Sequence, residues 1–114
     1  MKSIITIIIT IFLAANISLY AQETTSSASV KVDGVCGQCK KRIENAAYLK
    51  GVKYAEWNKN SQMLKVVYNN TKTTLEQIEN NIAKAGHNAG DVKAKNENYK
   101  KLPDCCAYKE VKTH

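Results

Sequence analysis

Residues 29–51 read SVKVDGVCGQCKKRIENAAYLKG, and this stretch decides the fold. Val30 and Val32 alternate with Ser29, Lys31 and Asp33, the period of a half-buried strand, and Gly34 ends it. From Cys39 the period changes. Cys39, Ile43, Ala46 and Ala47 fall on one helical face with charge on the other, and Gly51 is a natural helix stop. A strand therefore hands over directly to a helix, with two cysteines at the junction.

Toward the C-terminus, Val52 to Asn58 is expected to resume as a strand carrying Ala55 and Trp57 on one face. Asn58-Lys59-Asn60-Ser61 is turn chemistry, and Leu64, Val66 and Tyr68 alternate with Met63, Lys65 and Val67, so a hairpin follows. Asn69 to Lys72 is a polar loop. Thr73-x-x-Glu76 reads as a capping box ahead of the stripe Leu75, Ile78, Ile82 and Ala85, and Gly86 closes that helix. Asn88 to Lys93 is read as a weak final strand whose one sizeable apolar residue is Val92. The order β-α-β-β-α-β predicts an α+β, ferredoxin-like sandwich over residues 29–93, a four-stranded antiparallel sheet with two helices on one face. Residues 94–114 follow as a charged C-terminal tail containing Cys105-Cys106.

Toward the N-terminus the chain opens with Lys2, an apolar run from Ile4 to Ala15, and no further charge until Glu23. Residues 1–21 read as a signal peptide cleaved before Gln22. The competing reading is an uncleaved anchor, but the apolar run is short of the about 20 residues a bilayer span needs. Residues 22–28 are polar and rich in Ser and Thr, and are read as a flexible linker. Export places the protein in the periplasm or outside the cell, with no stable membrane insertion after cleavage. Of the 17 Lys and Arg residues only Lys2 lies in the leader, leaving 16 against 10 acidic residues, a net +6. These lysines are scattered rather than clustered with aromatics, so neither composition nor compartment favours nucleic acid.

The chemistry sits in Cys36-Gly37-Gln38-Cys39. A thiol at a helix N-terminus feels the positive end of the helix dipole, and Lys40, Lys41 and Arg42 follow at once, so the thiolate is favoured. Two intervening residues let both sulfurs face one ion, and Gly37 permits the tight backbone. Soft thiolates select Cu(I) or Hg(II) over hard cations. Zn(II) wants four ligands, which this pair supplies only if other thiols join it. Taken alone, a C-x-x-C also fits half a zinc site, a redox pair or a structural disulfide.

Set in this strand-helix context, the segment Val30-x-Val32-x-Gly34-Val35-Cys36-Gly37-Gln38-Cys39 resembles a heavy-metal-associated domain. Ile43-Glu44-x-Ala46, Gly51-Val52, Leu64-x-Val66 and Ala85-Gly86-His87 extend the resemblance. It is the fold of copper chaperones, of the N-terminal modules of copper-transporting ATPases and of periplasmic mercuric-ion-binding proteins. The resemblance implies metal binding by Cys36 and Cys39, and ligand exchange with a metal-transporting ATPase or another domain of similar fold. The usual motif is G-M-x-C-x-x-C; here Gly34-Val35-Cys36 is one residue shorter, and Val35 is the candidate for the buried anchor. His87 follows the glycine that ends the second helix, in a loop that lies beside the metal loop in this fold. It is a candidate extra ligand or a neighbour of the ligands, against the plainer reading of a loop histidine.

Cys105 and Cys106 cannot readily bond each other, since neighbouring Cα atoms sit ~3.8 Å apart, below the disulfide range of about 4.4–6.8 Å. Three uses are open to them: adding thiolates to the Cys36–Cys39 site, bridging to it when no metal is bound, or forming a separate site in the tail. No Ser-His-Asp set, paired acids or phosphate loop appears, so no catalytic step is assigned. The rival from another class is a periplasmic thiol-disulfide oxidoreductase, because Cys-Gly-x-Cys echoes the thioredoxin motif. Against that rival, Val35 stands where an aromatic residue is expected, and the only proline is Pro103.

Overall fold

The computed structural model describes residues 24–114. The expected signal peptide, residues 1–21, and the first two residues of the expected linker lie outside the described residues. Strand β1 (Thr25–Lys31) and strand β2 (Val52–Asn58) flank strand β3 (Met63–Asn69) in the order β1-β3-β2, both pairings antiparallel. Pairing with β1 runs without a break from Thr25↔Asn69 to Lys31↔Met63. Pairing with β2 runs from Val52↔Tyr68 to Asn58↔Met63 and slips once, between Val52 and Tyr54.

Two expectations for the sheet need correction. Thr25 to Ala28 are not linker but the first half of β1. Their period-two burial continues through Ser26 and Ala28 into Val30. The polar composition conceals the period. β3 offers backbone groups along its whole length, and hydrogen-bonding them satisfies what would otherwise be orphaned donors and acceptors. At the other end of the fold, residues 88–93 do not form a fourth strand. They keep two isolated bridges, Val32↔Ala89 and Ala89↔Val92. Asp33 N–H donates to Asn88 O at 3.0 Å and Gly90 N–H to Lys31 O at 2.8 Å, so the segment starts beside β1. Gly90 (φ +56°) then turns the chain away, and Ala89 and Val92 bond each other instead of the sheet.

Helix α1 (Gly37–Ala47) and helix α2 (Leu75–Lys84) cover one face of the sheet. Ile43 and Ala47 from α1, Ile78 and Ile82 from α2, and Val30, Ala55, Trp57, Leu64 and Val66 from the strands form one buried cluster. The cap of α2 lies one residue beyond the expected one. Thr74, not Thr73, accepts from Gln77 N–H at 3.1 Å, while Thr73 is buried and its own N–H returns to Asn69 O.

Nor is the charged tail a mere appendage. It forms helix α3 (Asn96–Tyr99) and a 3-10 turn (Asp104–Cys106), and Cys106 joins the core cluster with Leu102, Cys105 and Tyr108 packed against it. Gly86 (φ +106°) lets this happen: a side chain there would meet Asn98 O at 2.9 Å and Leu102 at 3.0 Å. Among the described residues no helix is long and apolar enough to cross a membrane.

Candidate metal site

The loop between β1 and α1 is fixed before any cysteine is reached. Gly34 packs so tightly that an added Cβ would lie 2.9 Å from the Trp57 ring. Trp57 in turn donates its indole N–H to Val32 O at 3.0 Å. Gln62, at the hairpin tip, clamps Gly34 from outside: its Nε2 donates to Gly34 O at 2.6 Å, and Gly34 N–H donates to its Oε1 at 3.0 Å. Val35 is buried, as the anchor role requires. The sequence reading missed Gln62, since only its place opposite Gly34 gives it meaning.

Cys36 is the N-cap of α1 and Cys39 lies in its first turn, so both sulfurs converge at the helix N-terminus. Their Sγ atoms are 3.4 Å apart, and both residues are buried free thiols. The first turn of α1 contains no acidic residue. Lys40 is drawn away from the sulfurs, pairing with Glu44 and donating to Trp57 O at 3.0 Å. Lys41 lines the shallow cleft over the site together with Cys36, Gly37, Gln38, Cys105 and His114.

Burial acts to raise the Cys36 thiol. The Cys39 amide, the Cys39 and Cys106 thiols and the Gln38 amide together outweigh it, and the group falls from 9.0 to about 7. For Cys39 burial wins, and its thiol is raised. Cys106 is also raised, first by burial and then by the Cys39 and Cys36 sulfurs beside it. One easily ionised sulfur thus sits among others that hold their protons.

Cys106 reaches this place from the far end of the chain. Its Sγ is 3.6 Å from that of Cys36, and the sulfurs of Cys36, Cys39 and Cys106 all lie within 4.8 Å of one another. Among the described residues these three form the one group of side chains disposed to hold a metal ion. Cys105 stands outside the group. Its Sγ contacts Gln38 Oε1 at 3.2 Å and lies 3.9 Å from the Cys106 sulfur, in keeping with two thiols that are not bonded.

His87 is brought close but not in. It is fully buried, its ring stacked on Tyr108 at 5.5 Å between centroids. Nδ1 lies 2.8 Å from Asp33 O, and because a carbonyl only accepts, Nδ1 carries the proton. Nε2 is left buried without a hydrogen-bond partner. Burial lowers the imidazole's affinity for a second proton. Tyr108, which no local pattern singles out, donates to Gly86 O at 2.8 Å and accepts from Asn88 N–H at 3.3 Å.

An α+β sheet-and-helix domain with clustered soft sulfurs at its strand–helix junction defines a heavy-metal-binding domain. The chain belongs to the heavy-metal-associated domain family, which matches residues 29–88. Solved structures agree. The CopZ metallochaperone is 29% identical, with a TM-score of 0.54 over 56% of this chain and 98% of its own. The N-terminal domain of a potential copper-translocating P-type ATPase from Bacillus subtilis, in the Cu(I)-loaded state, is 25% identical. Its TM-score is 0.55 over 58% of this chain and 85% of its own. Oxidized MerP from Ralstonia metallidurans CH34 is 20% identical, with a TM-score of 0.55 over 58% of this chain and 94% of its own, a likeness of fold alone. No curated protein matches the chain significantly.

Proposed function

We propose that this is an exported metallochaperone or metal-sequestering protein that holds Cu(I) through the thiolates of Cys36 and Cys39 and performs no catalytic step. The observation that carries this reading is the pair of free sulfurs 3.4 Å apart at the N-terminus of α1. Thiolates prefer soft monovalent copper to hard cations, and the helix dipole offsets the charge they bring. The metallochaperone at 29% identity and the Cu(I)-loaded ATPase domain at 25% support a metal-carrying role, and the second supports the choice of ion. They also suggest a copper-transporting ATPase or a second domain of this fold as the exchange partner. Hg(II) is the nearest competitor, since it too favours thiolates. Zn(II) would need Cys105 as well as the three clustered sulfurs to reach four. Export rests on the apolar, singly charged start of the chain, and N-terminal sequencing of the secreted form should begin at Gln22.

Native mass spectrometry of the reduced protein, offered Cu(I), Zn(II) and Hg(II) together, tests the ion. One Cu(I) per chain is expected, and Cys36→Ser combined with Cys39→Ser should abolish it. A protein that ignores Cu(I), or that reduces insulin disulfides at a thioredoxin's pace, has another function.

A further inference from the structure

We propose that Cys106 is a third sulfur ligand of this site, so that the C-terminal segment closes an open metal loop into a three-sulfur retaining site. The inference rests on the soft-metal reading above and adds a residue outside the matched family region, residues 29–88.

With a metal–sulfur distance of about 2.3 Å, a linear two-sulfur ion sets its ligands about 4.6 Å apart, and a trigonal three-sulfur ion about 4.0 Å apart. The observed contacts, 3.4 Å from Cys36 to Cys39 and 3.6 Å from Cys36 to Cys106, fall on the trigonal side. The third side, Cys39 to Cys106, is within 4.8 Å, so an ion at the centre asks for sulfur shifts on the order of half an ångström. The linear arrangement would require Cys36 and Cys39 to part by more than an ångström while Cys106 gave way.

The segment is also held on both sides of Cys106. Before it, Leu102 lies against Gly86. After it, Tyr108 hydrogen-bonds Gly86 and Asn88 and stacks on His87. At the end of the chain, His114 N–H donates to Val35 O at 2.7 Å. The sulfur is thereby seated with no exposed surface. A buried cysteine often serves as a small apolar residue. Cys106 belongs to the core cluster, but its sulfur also lies 3.6 Å from that of Cys36 and within 4.8 Å of that of Cys39, which an apolar role does not require. Each thiol that binds as thiolate releases one proton to solvent.

Cys105 supplies the control, being adjacent in sequence, half-buried and outside the ring. The full reduced chain, Cys106→Ser and Cys105→Ser are titrated with Cu(I) against a chromogenic Cu(I) chelator, and sulfur neighbours are counted by X-ray absorption. Each protein is expected to bind one Cu(I). Cys106→Ser should raise Kd about tenfold or more and cut the sulfur count from three to two. Cys105→Ser should leave the count at three. Unchanged affinity and a count of two in the parent chain would overturn the proposal while leaving the two-thiolate function standing. A parent chain that binds no Cu(I) would remove that function and this inference together. If Cys106→Ser fails to fold, the sulfur count of the parent and of Cys105→Ser decides.

Discussion

Cys36 and Cys39 share a helix end, yet their thiols are driven in opposite directions, down to about 7 for the first and upward for the second. The difference follows from position: Cys36 receives the first-turn amides, while Cys39 is sealed inside the core. A thiol whose folded-state value is depressed adds stability that is full above its ordinary value, 9.0, and is lost as pH falls through about 7. Over the same window protons compete with metal for Cys36, so Cu(I) affinity should weaken below about pH 7. Ultraviolet thiolate absorbance of the metal-free protein should show one thiolate forming near pH 7 that Cys36→Ser removes. First ionisation only near the ordinary thiol value, 9.0, would count against it. His87 belongs to the same scale. Its proton on Nδ1 is committed to Asp33 O, which makes it a brace between the two loops rather than a member of the sulfur group.

At the scale of elements, the strand-to-helix junction was open to reading because its period changes at a definite residue. The alternation of Val30 and Val32 and the face of Cys39, Ile43 and Ala47 are local patterns, and the structure places all five in the core. Where the reading failed, the deciding contacts were not local. Thr25 to Ala28 become strand only because β3 lies alongside. Residues 88–93 leave the sheet at Gly90, a turn that outweighs the weak apolar pull of Val92. Cys106 meets Cys36 across 70 residues, through a segment with no period of its own. That seating depends on Leu102 and Tyr108 finding Gly86, and nothing in residues 94–114 announces it. Gly86→Ala tests the element directly. Its positive φ and the close approach of Leu102 should cost about 1–3 kcal/mol. It should also speed alkylation of Cys106 and hydrogen exchange across residues 102–108. A variant with parental melting temperature and unaltered Cys106 reactivity would mean the tail is seated by other contacts.

At the scale of the whole molecule, the described residues share one core cluster, and Trp57 is its largest fully buried side chain. The ring packs on Gly34, its indole N–H satisfies Val32 O, and its backbone N–H donates to Glu44. Sheet, helix α1 and metal loop therefore share a single support. Trp57→Ala should cost about 3–5 kcal/mol, a large part of the about 5–15 kcal/mol that holds a small domain together. Far-ultraviolet circular dichroism should show a melting temperature lower by about 12 °C or more. A fall of a degree or two would mean that the core tolerates the cavity.

The start of β1 has one more effect. Thr25 opens the strand at the end of the sheet remote from the sulfurs, and its seven residues advance about 20 Å toward them. Beyond Lys31 the chain leads within five residues to Cys36, so the start of β1 and the cysteine mouth lie at opposite ends of the sheet. A visitor to the sulfurs would therefore meet the rim of the domain remote from the place where β1 starts.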